Sequence, residues 1–322
     1  MKRILFFVVL LSSLLPMACR PKQDRRIVVG ISWSSSQGKS FKGTYLALEA
    51  IGVKPVALGQ VISTDVEYED NEVKEHQLDE NGILLEPQAA LVKQYTYQHS
   101  NIEQIMKGID AVVFTGGEDI SPTLFHEMQP WHGIEREKNY NTTRDISDYI
   151  LLSYCIDNDI PTLCICRGEQ MLGVVSGAGF VQDVETFYRE QGAEYNYSHR
   201  CNKQDTTLRH DYVRHDVELA AKASLLRDIV GADVEHNVPS WHHQAVGSLE
   251  GTDLRKSATT TIDGVEIVEA IERTDKRFVL GVQYHPEVAL YKMEHGEENA
   301  SEYMSRESVL RYFEALRDAV KK

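Results

Sequence analysis

The chain is poor in cysteine and in positive charge, and it holds no apolar run long enough to cross a bilayer. Five cysteines, Cys19, Cys155, Cys164, Cys166 and Cys201, stand at uneven spacing in 322 residues. That is too few for a disulfide framework in a chain of this size. No C-x-x-C pair occurs, so spacing offers neither a metal site nor a dithiol redox motif, and no cofactor is expected. The 34 Lys and Arg against 49 Asp and Glu give a formal net charge of −15, which argues against nucleic acid as a partner and against electrostatic adhesion to anionic lipid. Internal repeats and low-complexity tracts are missing too. What is there is an ordinary globular composition, 42% apolar, long enough for one large α/β domain or two small ones.

The first residues stand apart. Lys2 and Arg3 precede a mostly apolar run over residues 4–17, too short to span a bilayer and shaped like a secretory signal peptide. The run ends in Leu15-Pro16-Met17-Ala18-Cys19, which resembles the lipobox of bacterial lipoproteins with the leucine one place further out. That resemblance implies a mature chain starting at a diacylated Cys19, with residues 20–26 as a polar tether. The protein would then be exported and held at a membrane, facing periplasm or cell surface, through lipid alone. Ordinary secretion with cleavage nearby is the alternative.

Downstream, strands alternate with helices. Residues 26–33 (RIVVGISW) and 53–58 (VKPVAL) read as strands around a helix at 44–51. A helix at 102–106, a strand at 111–114, a helix at 146–157, a strand at 162–165 and a helix at 169–175 follow. Strands that are apolar along their length are buried on both faces, and this alternation predicts an α/β fold with a doubly wound, mostly parallel sheet. Residues 265–271 (VEIVEAI) and 278–284 (FVLGVQY) predict paired strands across a polar turn, and a helix at 307–320 closes the chain. One domain over residues 27–322 is the economical reading. Between residues 59 and 90, nine acidic residues stand against one lysine, which reads as a solvated surface insertion or a lid.

Two of the five cysteines lie two apart in PTLCICRGEQ, residues 161–170. A strand that ends in Cys166, with Gly168 just beyond and then a helix, describes a nucleophile elbow at the carboxyl end of the sheet. The helix N-terminus there favours a thiolate and offers free N–H groups to an oxyanion. Cys164, inside the strand, is expected to pack as a small apolar residue. A cysteine nucleophile needs a base and an orienting group. His285-Pro286-Glu287 supplies both, because residues two apart in extended backbone point the same way. Gly116 and Gly117, directly after a strand, let bare backbone approach a reacting carbonyl; a simple tight turn is the alternative.

Taken together, C-x-C-R-G-x-Q, T-G-G-x-D-x-x-P (115–122), S-x-H-H-Q-A-V (240–246) and G-V-Q-x-H-P-E (281–287) resemble the class I glutamine amidotransferase-like hydrolases, nearest to their γ-glutamyl-γ-aminobutyrate hydrolase branch. Arg144-Asp145 and residues 177–183 (GAGFVQD) fit that family as well. The resemblance covers roughly residues 27–320 and implies a flavodoxin-like fold and hydrolysis of a γ-glutamyl amide through a thioester on Cys166. It implies His285 as base and then acid, oriented by Glu287, with the N–H groups of Gly117 and Arg167 as oxyanion donors. Gly116, Gln170, Ser240, His242 and His243 would hold the small-molecule γ-glutamyl substrate, although one of the two neighbouring histidines could instead brace its loop. A homodimer is left open. The chain departs from the family in having Cys164 for Gly or Ala, Leu172-Gly173 for Leu-Asn, and Thr115 for Pro or a small residue.

Three other functions compete. A hydrolase of folate poly-γ-glutamate or γ-glutamyl peptides differs only in leaving group. A glutaminase subunit feeding ammonia to a synthetase sits badly with export away from ATP. A non-catalytic lipoprotein that binds glutamyl compounds would keep the fold without turnover.

Overall fold

The computed structural model describes residues 26–205, 207, 211–220 and 222–322. The signal-peptide and lipobox readings, Cys19 included, lie outside the described residues, as does the tether up to residue 25.

Among the described residues, nine strands build the central sheet: β1 (Val28–Ile31), β2 (Lys54–Ala57), β3 (Ala111–Phe114), β4 (Thr162–Ile165), β5 (Val213–Leu219), β6 (Val234–Ser240), β7 (Leu254–Ile262), β8 (Val265–Arg273) and β9 (Val279–Val282). Their order is β2-β1-β3-β4-β9-β8-β7-β5-β6. The first five pair in parallel and the rest antiparallel. Numbered among themselves, the parallel strands run 2-1-3-4-5, the flavodoxin-like winding. The helices that matter to the site are α1 (Lys39–Ala50), α2 (Thr142–Asp157), α3 (Arg167–Val175), α4 (Pro286–Glu294) and α5 (Arg306–Val320).

The central strands β1, β3, β4 and β9 form because each is an apolar run with a partner for both faces, while β2, at the edge, is only half-buried. Val113, Leu163 and Ile165 pack with Leu48 of α1 and Phe313 of α5 on one side. Val112, Phe114 and Cys164 pack with Ile146 and Ile150 of α2 and Met171 of α3 on the other. This is the period-two alternation of a strand buried on both faces.

Sequence reasoning passed over β5, β6 and β7. In β5 (VRHDVEL) charged residues alternate with half-buried or buried ones, so no continuous apolar run marks it. The antiparallel half of the sheet is therefore larger than expected. The acidic segment also needs correction. Its charges face solvent, but Val61, Val73 and Leu84 are buried in the core beside α2, and Thr143 of α2 hydrogen-bonds the Glu72 carboxylate at 2.7 Å. Its apolar side is committed to the core, and none of its residues lines the cleft that holds Cys166.

Candidate active site

Alternation along β4 ends at Cys166. A continued strand would send residue 166 the same way as Cys164; instead the backbone turns at φ 52°, ψ −105° and the side chain joins the opposite cluster. A positive φ at a non-glycine residue is strained by about 1–3 kcal/mol. Two contacts hold it. The Cys166 N–H donates to the Val282 carbonyl at 2.7 Å, tying the elbow to β9. A Cβ on Gly168 would stand 2.7 Å from Phe114 Cβ, so only glycine lets α3 start this close to β3. Cys164 is fully buried, and burial pushes its thiol well up; this is the packing role expected of it.

At the end of β9 the chain turns into α4 with Pro286 at the first helical position and His285 as its N-cap. His285 Nδ1 lies 2.8 Å from Glu287 Oε1. The two meet as expected but for another reason: the contact spans the first turn of a helix and not an extended strand. Burial alone would pull the His285 imidazole down; the charge on Cys166, then that on Glu287, and hydrogen bonds to both outweigh it and lift it to about 10. The residues the sequence proposed as nucleophile, base and orienting acid are therefore in one place.

Ser40, near the start of α1, was missed by sequence reasoning. Its hydroxyl donates to Glu287 Oε1 at 2.6 Å and accepts from the Gly116 N–H at 3.1 Å. The only available signal was Gly43, one turn on: a Cβ there would lie 2.2 Å from the Glu287 carbonyl oxygen, which marks how closely α1 rests on α4.

Arg144 sets the loop after β3. Its Nη2 donates to the carbonyls of Thr115 at 3.1 Å and Gly116 at 2.9 Å. In a trans peptide the N–H points opposite to the C=O, so the Gly117 N–H is turned away from Arg144, toward the cleft that Gly117 lines with Cys166. Among the described residues neither the Gly117 nor the Arg167 N–H takes a hydrogen-bond partner. The Arg167 side chain is fully buried and bonds Asp145 and Asp148, while Arg144 pairs with Glu118 at 2.8 Å. Two buried guanidinium groups thus face three carboxylates behind the elbow.

The cleft beyond Cys166 carries both signs of charge. Arg200 and Lys203 stand 3.1 and 3.3 Å from Glu137. His243 Nε2 lies 2.8 Å from Asp119 and Nδ1 3.6 Å from Asp183; burial lowers this imidazole, but hydrogen bonds to the two carboxylates outweigh it and raise it. Gln170 lines the cleft, with its amide donating to the Gln244 carbonyl at 2.9 Å. Ser240 is placed differently from expectation: fully buried, it donates to the His199 carbonyl. His242 forms part of the cleft wall, yet its ring turns inward, with Nδ1 2.9 Å from the Gln244 carbonyl and Nε2 toward Glu269. Of the neighbouring histidines, His243 faces the cleft and His242 braces. Glu137, Arg200 and Lys203 were not singled out, because they come from two loops that only the fold brings together, and Asp119 was read only as part of its motif.

Comparison with known proteins identifies the family. Residues 87–287 match the Peptidase C26 family. A glutamine amidotransferase-like protein of Rickettsia prowazekii is 32% identical over 219 residues, 59% of this chain and 75% of that one. The γ-glutamyl-γ-aminobutyrate hydrolase of Escherichia coli K12 is 25% identical over 190 residues, 58% of this chain and 68% of that one. A glutamine amidotransferase structure from Thermotoga maritima superposes with a TM-score of 0.49 at 13% identity, covering 92% of this chain and 99% of that one. The chain belongs to the Peptidase C26 family, within the class I glutamine amidotransferase-like hydrolases.

Proposed function

We propose that the protein hydrolyses γ-glutamyl amides through a thioester on Cys166, with His285 as proton carrier and Glu287 as its orienting acid. The observation that carries this reading is the strained elbow at Cys166 beside a His285–Glu287 pair at 2.8 Å. The Cys166 thiolate attacks the amide carbonyl carbon, and the π electrons move to oxygen, where the N–H groups of Gly117 and Arg167 receive the negative charge. As the intermediate collapses, the C–N bond breaks and His285 gives its proton to the leaving amine. Water then attacks the thioester, His285 takes its proton, and glutamate leaves as the thiolate returns. Cations at Arg200 and Lys203 and the His243 imidazole, near carboxylates at Asp119 and Glu137, suit a zwitterionic glutamyl head group. Gly116, which a Cβ would bring within 2.6 Å of His285 Cε1, keeps the approach open.

The lipobox-like sequence supports export and anchoring at Cys19; labelling with a palmitate analogue should then depend on Cys19, and an unlabelled, freely soluble mature chain would refute the anchor. The function is tested by measuring free glutamate, by mass spectrometry, from γ-glutamyl conjugates of γ-aminobutyrate, amino acids and folate, with Cys166→Ser beside the unaltered protein. Cys166-dependent release establishes the hydrolase and names the amine. Binding without release would favour a glutamyl-binding lipoprotein instead.

A further inference from the structure

Behind the loop that carries Trp241 and His243, three histidines and a glutamate converge. His199 precedes β5, His215 lies on β5, His242 follows β6 and Glu269 is on β8. One ligand atom from each lies within 4.8 Å of all the others, and each side chain is more than nine-tenths buried. Glu269 Oε1 stands 3.1 Å from His199 Nδ1, 3.6 Å from His215 Nε2 and 3.8 Å from His242 Nε2. None of these inner atoms makes a hydrogen bond among the described residues.

The outer ring nitrogens determine what the inner ones present. His242 Nδ1 faces the Gln244 carbonyl at 2.9 Å. His215 Nδ1 faces the Asp216 carbonyl at 3.2 Å and the Thr260 hydroxyl at 3.1 Å, and that hydroxyl gives its own proton to the Asp216 carbonyl at 2.9 Å. Both surroundings can only accept, so each proton sits on the outer nitrogen and each lone pair points inward. His199 Nε2 has the Tyr188 hydroxyl at 3.4 Å, leaving Nδ1 toward Glu269. Two inward lone pairs, those of His215 and His242, therefore face the Glu269 carboxylate and His199 Nδ1 in a dry interior, an arrangement that costs stability unless something electropositive lies between them.

We propose that His199, His215, His242 and Glu269 bind one divalent transition cation of the zinc class. Three imidazoles and one carboxylate are the N/O donors such a cation takes in four-fold coordination, whereas Ca²⁺ and Mg²⁺ call for oxygen cages. The outer contacts to carbonyls are the kind that orient metal-binding histidines. Four protein ligands in a buried site leave no position for substrate, so the role is structural. It also bears on the cleft. His242 N–H and Ser240 Oγ both bond the His199 carbonyl, at 3.0 and 2.8 Å, and the intervening Trp241 carbonyl lies 4.0 Å from Cys166 Sγ. A cation here would fasten the wall that faces the nucleophile. Spacing gave no warning, because the ligands come from four segments spread over residues 199–269.

The test is metal content. Untagged full chain, produced with Zn²⁺ and passed through gel filtration, should carry about one zinc per chain by inductively coupled plasma mass spectrometry. His215→Ala and Glu269→Gln should each cut it about tenfold or more. Should the variants fail to fold, the unaltered chain still decides: a chelator should lower its Tm, Zn²⁺ should restore it, and Co²⁺ loading should give the visible absorption of a tetrahedral site. A chain that takes up no zinc and whose Tm ignores both chelator and Zn²⁺ would overturn the proposal and assign the cluster to a shared proton. Full zinc in a folded His215→Ala protein would overturn it as well.

Discussion

Glu287→Gln removes one charge from the site and keeps its shape. Glu287 Oε1 stands 2.8 Å from His285 Nδ1, with both side chains buried. Unit charges at that separation attract by about 6 kcal/mol at an effective dielectric of about 20. Both charges are spread over several atoms, and an amide oxygen would still accept from the imidazole and from Ser40. The observable loss is therefore nearer the 1.5–3 kcal/mol range (about 10- to 100-fold) of a charge-assisted hydrogen bond. If the amide instead turns its NH₂ toward His285, the imidazole holds the wrong tautomer and the loss grows to about 10⁴-fold. We expect kcat/KM for a γ-glutamyl amide to fall within about 10- to 10⁴-fold, mostly in kcat, since Glu287 does not line the cleft. The pH profile gives a second reading. With His285 lifted to about 10, the acid that protonates the leaving amine survives to about that pH, and the rate falls as pH rises through it. Removing one of the raising charges moves that alkaline limb to lower pH, by about one unit or more. The assay is initial-rate glutamate release from about pH 6 to about pH 11. A variant within about threefold of the unaltered rate, with its alkaline limb in place, would refute the orienting role of Glu287.

Ser40→Ala should lower kcat about tenfold, since it removes one hydrogen bond of about 1–1.5 kcal/mol to Glu287 and frees the Gly116 N–H; kinetics with unchanged Tm would check it. Gly117→Ala should abolish release and lower Tm, because the new Cβ would stand 1.8 Å from Arg144 Nη1. Arg144→Met should cost about 3–5 kcal/mol in urea unfolding, as it leaves the partly buried Glu118 and fully buried Asp148 short of a cation. Alkaline stability should follow His285: its folded value near 10 exceeds the roughly 6.5 of an unfolded histidine. Its contribution is thus complete below about pH 6.5 and lost as pH rises through about 10, and Cys166→Ser should flatten that loss in Tm-versus-pH scans. Cys164→Ala should keep most activity.

The parts of the site that could be read from the sequence lie within single short segments. Cys166 and Gly168 share a strand-to-helix turn, and His285 and Glu287 share a helix start, so local pattern was enough. Ser40 was not legible, because a serine near a helix start is more often a cap, and its role exists only where α1 rests on α4. The same holds for the His199, His215, His242 and Glu269 cluster, which the antiparallel strands assemble. Of those strands β8 was expected, but β5 alternates charged and apolar residues and β6 and β7 are largely polar, so none of the three presents the short apolar run that marked most of the parallel strands. The sequence therefore revealed the half of the sheet that carries Cys166 and concealed much of the half that carries the cleft wall.

Arg167 shows why the elbow and the charge cluster behind it belong to one device. Cys166 holds a conformation that costs about 1–3 kcal/mol, and the residue after it must keep its N–H free for the cleft. Its side chain can then serve only on the other side, where Asp145 and Asp148 of α2 bind it in full burial. Arg144, on the same helix, reaches from Asp148 and Glu118 to the carbonyls of Thr115 and Gly116. One turn of α2 thereby fixes both loops that would receive the oxyanion, the elbow through Arg167 and the Gly116–Gly117 turn through Arg144. If the Gly117 and Arg167 N–H groups receive one reacting oxygen as proposed, the two loops must be held in common register, and the buried ion cluster is placed to hold them so.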